Sequence, residues 1–322
     1  MKPLFFVHVP KTAGTSFRHG IEAYFGSSKI VYDYGPGAAQ TSPPTRELVH
    51  APVPDLWTFY RRCLALDARL LAGHVPVSKY VSLCGASQTV TFLREPLQRA
   101  ASEYSHFQRL FNYKGSFRDF IGMPLQNNRQ SAIMQGTDIE AMGVVGLTER
   151  YQESLELINA RYGLAIQQRE DNRAKSAVGA SHDISAEDEA EFRSLNALDI
   201  TLYERCRQLF ETRLQLYRDD LPYAHAKLTQ FATHQVSGWA FWEGEDDAPV
   251  IVEVWVNGDL RGTVSAVHAR PNMYRLQPPR GGYVGFSLTT PLSVGDEVQC
   301  RVVDTGQWFP FKPRRVSAPS AA

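Results

Sequence analysis

Residues 4–16 read LFFVHVPKTAGTS, and this stretch decides the fold. Leu4–Val9 is a short apolar run around His8, built from residue types that pack well on a pleated sheet. A continuous run of this kind marks a strand buried on both faces, as in a parallel sheet. Pro10 ends it. Beyond Gly14, the residues Phe17, Ile21, Tyr24 and Phe25 recur at helical spacing, so a helix follows directly. Pro10-Lys11-Thr12-Ala13-Gly14-Thr15-Ser16 is therefore a strand-to-helix turn, where backbone N–H groups meet the positive end of a helix dipole. Lys11 adds a charge, Thr12, Thr15 and Ser16 add hydroxyls, and Gly14 permits close approach of the backbone. The same residues also serve an ordinary capped turn.

The turn is not a Walker A loop, G-x-x-x-x-G-K-[ST], because Lys11 precedes Gly14 and the leading Gly is missing. Outward from it, Asp67–Ala72, Gln88–Leu93 and Val144–Leu147 read as further strands. Pro96 stands where a helix begins, Glu149–Tyr162 is amphipathic, and Ser185-x-x-Asp188 resembles a capping box ahead of a leucine stripe from Leu195 to Leu216. Tyr34–Pro54 and Ile166–Asp183 are read as loops. From about residue 225 the pattern alternates. Val250, Val252, Val254 and Val256 share a face, and Asn257-Gly258 signals a hairpin. Gln235–Trp242, Leu260–Val267, Tyr283–Thr289 and Glu297–Asp304 supply further strands. The expected fold is α/β, a P-loop-like parallel sheet flanked by helices over residues 1–222, plus an all-β, sandwich-like domain over 223–322.

The 322 residues carry 34 Lys+Arg against 34 Asp+Glu, which argues against a nucleic-acid or anionic-membrane binder. Nine of each sign fall after residue 222, so both parts are neutral. Cys63, Cys84, Cys206 and Cys300 are scattered without a C-x-x-C, as expected for reduced, buried thiols. No apolar run is long enough to span a membrane, the N-terminal run is too short for a signal peptide, and a cytoplasmic location is expected.

A second segment, Leu93-Arg94-Glu95-Pro96 through Ser102-Glu103-Tyr104, places a guanidinium at a strand end and a hydroxyl two turns into the next helix. Such a pair can grip one isolated phosphate. The order strand–PKTAGTS–helix, then strand–LREPLQRAASEY–helix, resembles the sulfotransferases that use 3′-phosphoadenosine 5′-phosphosulfate (PAPS). The likeness is to their carbohydrate branch, which includes the heparan sulfate 2-O-sulfotransferases and bacterial members. It continues in Gly73-His74-Val75-Pro76, Asn128-Arg129-Gln130, Gly146-Leu147-Thr148-Glu149-Arg150-Tyr151 and Asp199-Ile200-Thr201-Leu202-Tyr203, covering roughly residues 3–217.

The resemblance implies that Lys11, Thr12, Ala13, Gly14, Thr15 and Ser16 hold the 5′-phosphosulfate, and that Arg94 and Ser102 hold the 3′-phosphate. His74 becomes the general base, with Lys11 stabilising the leaving oxygen; imidazole suits proton abstraction near neutrality. His106, one helical turn from Ser102, is the rival base, while His8 is read as strand packing. PAPS is the implied co-substrate, no metal is expected, and the acceptor is a carbohydrate, such as a bacterial surface glycan or its precursor. A nucleotide-dependent phosphotransferase and a non-catalytic PAPS- or glycan-binding protein are the alternatives. Four of the five tryptophans, Trp239, Trp242, Trp255 and Trp308, lie in the C-terminal part. Trp255 is out of phase with the valines and points to the opposite sheet face. The β domain resembles those appended to some bacterial glycan-modifying enzymes, which implies carbohydrate binding or spacing, with self-association as the competing role.

Overall fold

A computed structural model describes residues 2–168, 184–232, 234–244, 247–310 and 313–316. The chain forms two compact units. The first comprises Met1–Cys84, Gln88–Thr137 and Val144–Arg207, and the second comprises Gly85–Ser87, Asp138–Gly143 and Gln208–Ala322.

In the first unit, β1 (Leu4–Val7), β2 (Ile30–Asp33), β3 (Leu70–Gly73), β4 (Thr89–Leu93) and β5 (Val144–Leu147) form a parallel sheet in the order β2-β3-β1-β4-β5. Every residue of β1, β3, β4 and β5 is buried, as their unbroken apolar runs require. Phe6 of β1 packs on Phe17 of the helix Gly14–Phe25 at 4.7 Å between ring centroids. Phe17 in turn meets Phe92 of β4 at 5.3 Å, which ties the helix to the sheet. β1 lies in the middle, with β3 and β4 on either side. The chain therefore leaves the C-terminal ends of these strands in opposite directions, the place where open parallel sheets hold ligands.

Several boundaries differ from the sequence reading. β2 was not foreseen; it is a four-residue edge strand with Tyr32 only half-buried, so its apolar signal is short. Tyr34–Pro54 contains a short helix, Pro43–Leu48, started by Pro residues in its first turn. The stretch Ser185–Leu216 is two helices, Ala186–Leu195 and Ala197–Arg218, broken at buried Asn196. Ser185 caps the first by accepting from the Asp188 amide. Most of the expected loop Ile166–Asp183 lies outside the described residues.

The second unit is a sandwich. One sheet runs β10 (His268–Ala269), β11 (Tyr283–Thr289), β7 (Gln235–Trp242), β6 (Ala224–Ala232). The other runs β13 (Arg314–Arg315), β12 (Glu297–Val302), β8 (Ile251–Val256), β9 (Asp259–Ser265). Val252, Val254 and Val256 of β8 meet Val298, Cys300 and Val302 of β12 and Phe286 of β11 in one core. Asn257 and Gly258, with φ of 52° and 85°, make the expected tight hairpin turn. Strand β6 was missed, since a register shift between Leu228 and Gln230 breaks its alternation. All four cysteines are buried and none is in a disulfide, and no helix among the described residues is long and apolar enough to cross a membrane.

At the end of β2, the buried Asp33 carboxylate accepts from Lys79 Nζ at 2.6 Å, Tyr80 Oη at 2.6 Å and His50 Nε2 at 2.8 Å. Burial pulls its pKa up, but these donors outweigh burial and hold it below the usual carboxylate value. The cluster matters to the neighbouring strand, because a Cβ on Gly73 would stand 2.0 Å from the Asp33 carbonyl oxygen. Asp33→Ala is expected to cost about 3 kcal/mol in denaturant unfolding, through the buried donors it strands. Because the folded pKa is depressed, Asp33's contribution is present above its unfolded pKa and fades as pH falls through the folded value. The Ala variant should accordingly lose its deficit in acid.

Candidate active site

The turn after β1 leaves the strand through His8 and Val9, and it bends through two left-handed residues, Lys11 at φ 67° and Ala13 at φ 63°. Left-handed residues separated by one position gather backbone N–H groups towards a common centre. The amides of Thr12, Ala13, Gly14 and Thr15 have no hydrogen-bond acceptor among the described residues. The helix that begins at Gly14 has no side-chain cap and no acidic residue in its first turn. Its N-terminal donors are thus left for something outside the chain.

The hydroxyl of Thr12 departs from expectation. It is fully buried and donates to Val9 O at 2.9 Å, so it braces the turn and only its amide remains to offer. Gly14 is required for a different reason than close approach of a ligand. A Cβ there would stand 2.1 Å from His8 Cδ2, because the His8 ring lies directly beneath the turn.

His8 is therefore more than strand packing. Its ring centroid is 4.3 Å from that of His74, and its Nδ1 meets Tyr34 Oη at 3.0 Å. His74, at the end of β3, donates from Nδ1 to the His8 carbonyl oxygen at 2.7 Å. A carbonyl only accepts, so Nδ1 carries the proton and Nε2 of neutral His74 keeps its lone pair. Burial, together with His74 and Arg18, holds the His8 pKa well below that of a free imidazole. The pKa of His74 is also lowered. Desolvation by the surrounding protein is the main cause, partly offset by the bond to His8, although the side chain keeps an exposed surface. Both rings are neutral near pH 7.

Around Lys11 the charges do not balance. Its pKa is lowered by burial first, then by Arg109, with Arg94 adding to the effect and Glu103 opposing it. None of Lys11, Arg94 or Arg109 has an ion-pair partner among the described residues. Arg94 Nη1 lies 3.5 Å from the Lys11 carbonyl oxygen, so the two expected anion segments do come together. Ser102 lies on the helix Pro96–Phe111, and His106 and Arg109 follow it at spacings of four and seven on one helical face. The Ser102 hydroxyl has no described partner. His106 feels Lys11 and Arg109, and its Nδ1 is buried without a partner. Arg109 was not foreseen, and only its register with Ser102 would have pointed to it.

The remaining quoted motifs turn out to be scaffolding for Arg94. Gln130 Nε2 donates to Arg94 O at 2.9 Å and its Oε1 accepts from Arg94 N at 3.0 Å. The Asp199 carboxylate accepts from the amides of Gln130 at 3.1 Å and Ser131 at 2.7 Å, capping the helix Arg129–Met134. Glu149 accepts from the Glu95 amide at 2.8 Å and from Tyr203 Oη at 3.0 Å. Glu95 caps its own helix by accepting from the Gln98 amide, so it is not held by Arg94. Leu147 is buried and the half-buried Tyr151 stacks on Phe92 at 5.2 Å, so both pack against the sheet.

Compared with known protein families, with curated proteins and with solved structures, the chain matches none.

Two outcomes are expected. Gly14→Ala should destabilise the fold by about 1–3 kcal/mol in thermal or denaturant unfolding, because the methyl group meets the His8 ring. Asp199→Ala, which leaves the buried Gln130 amide and the half-buried Ser131 amide without their acceptor, should cost about 1–3 kcal/mol.

Proposed function

We propose that the protein is a PAPS-dependent O-sulfotransferase acting on a hydroxyl of a carbohydrate, working in the cytoplasm. The observation that carries this reading is the cluster of Lys11, Arg94 and Arg109, none of them in an ion pair among the described residues, beside four amides without acceptors there. A ligand with two separated anionic groups answers both features. In this reading the amides of Thr12 to Thr15, with Lys11 and Ser16, take the 5′-phosphosulfate, while Arg94 and Ser102 take the 3′-phosphate. The sheet is then P-loop-like in use, since the anion turn follows the central strand, although its Lys stands before the glycine. The resemblance of the ordered motifs supports the same assignment.

Bound PAPS supplies an activated sulfuryl group. His74, neutral and with Nε2 bare, accepts the proton of the acceptor hydroxyl as that oxygen bonds to sulfur. The bond from sulfur to the bridging oxygen breaks, and its electron pair stays on the 5′-phosphate of the departing adenosine 3′,5′-bisphosphate. Lys11 and the turn amides face that growing charge as preorganised donors. The bond from His74 to the His8 carbonyl fixes the ring and steadies the imidazolium that forms. His106 lacks such an orienting bond on its buried Nδ1, which favours His74 as the base.

Transfer of labelled sulfate from PAPS to a panel of glycans tests the reading. His74→Ala should retain binding of adenosine 3′,5′-bisphosphate and lose at least about a hundredfold in turnover, the usual worth of a general base. Arg94→Ala should weaken that binding. Full turnover in His74→Ala would move the base elsewhere, and no transfer to any acceptor would contradict the enzymatic reading. The general base acts unprotonated and its pKa is lowered. kcat/KM should therefore rise with pH through a midpoint below 6.5 and then level off.

A further inference from the structure

The sandwich spends its tryptophans in two ways. Trp239 and Trp242 are buried, Trp242 within the core between the sheets. Trp255 and Trp308 stand on the outer face of the sheet β13-β12-β8-β9, where Trp308 keeps 42% of its surface. Their ring centroids are 5.9 Å apart with planes at 62°.

The cross-strand register defines what surrounds them. Glu253 and Trp255 are two residues apart on β8 and so share a face. Glu253 lies opposite Thr263 on one side and Arg301 on the other, while Arg301 bridges to Trp308. Gln299 lies opposite Trp255. The Arg301 guanidinium sits over both rings, 5.2 Å from the Trp255 centroid and 5.4 Å from that of Trp308. Glu253 Oε2 accepts from Arg301 Nε at 2.8 Å and from Trp255 Nε1 at 2.9 Å. The guanidinium and the carboxylate thus lock both rings in place, and a ligand loses little entropy in organising them.

The geometry points to this face as a glycan-binding platform for an uncharged or lightly charged pyranose chain, a role separate from the sulfate-transfer reading. A pyranose offers a flat C–H face to a ring such as Trp308, and a rim of hydroxyls to Arg301, Glu253, Gln299 and Thr263. These side chains supply both donors and acceptors. The charge state selects among ligands. Arg301 is neutralised by Glu253, so a polyanion finds no surplus cation here, and a nucleic-acid strand finds no positive groove beside the aromatic surface.

Isothermal titration of the full chain with laminarihexaose, cellohexaose, maltohexaose, xylohexaose and a heparin hexasaccharide tests this. At least one neutral hexasaccharide should bind, with a Kd of about 0.1–1 mM. Trp308→Ala should weaken it at least tenfold, about 1.4 kcal/mol. Trp308→Phe, which keeps an aromatic face, should recover part of the affinity. Melting temperatures and binding of adenosine 3′,5′-bisphosphate should be unchanged in both variants, which separates this inference from the reading of the first unit. Absence of binding by every neutral hexasaccharide, binding by heparin alone, or full affinity in Trp308→Ala would overturn it. So would a self-association in sedimentation that Trp308→Ala abolishes.

Discussion

The structure of the site depends on one constraint, the left-handed turn after β1 packed onto the His8 ring. Lys11 and Ala13 take backbone conformations that L residues rarely adopt. Gly14 fits only because it lacks a Cβ. Such strain persists where the surroundings over-determine it, and here the Thr12 hydroxyl bond to Val9 and the buried rings below do so. The return is a row of amides without acceptors among the described residues at a helix start, near Lys11, Arg94 and Arg109, none of which forms an ion pair among those residues. The same His8 carbonyl that ends the strand also fixes the tautomer of His74. The turn and His74 are thus joined through one residue.

Around that centre, the rest of the first unit works as a brace. Three motif segments, each more than thirty residues beyond Arg94 in the chain, converge on the turn that carries it. Gln130 holds its backbone from both sides, Asp199 holds Gln130, and Glu149 ties the next amide to Tyr203. The Arg94 guanidinium is held close to Lys11, against the repulsion between the two. A network of backbone bonds does this without neutralising it. The neutral net charge of the chain is compatible with a local cluster of cations.

The sequence made the centre legible and left its supports obscure, for physical reasons. Leu4–Val7, Thr89–Leu93 and Val144–Leu147 are unbroken apolar runs, so buried parallel strands could be read directly. The PKTAGTS turn was legible because its residue types sit between a strand and a helix. β2, an edge strand of four residues, and β6, with a register shift, carry too little periodicity to be seen. Asp33 acts through Lys79, Tyr80 and His50, which are far away in the chain, and no local pattern announces that. Thr12 shows the limit from the other side, since residue type suggested a donor while the backbone turned the hydroxyl inward.

The central claim is that the cation cluster and the turn amides form one site for a nucleotide with separate 3′ and 5′ anionic groups. Thermal denaturation with adenosine 3′,5′-bisphosphate, set beside ATP at equal concentration, tests it most directly, since a ligand stabilises the native state it binds. The account predicts a clear rise in Tm with the 3′,5′-bisphosphate, little rise with ATP, and loss of the difference in Arg94→Ala. Stabilisation by ATP alone would contradict it.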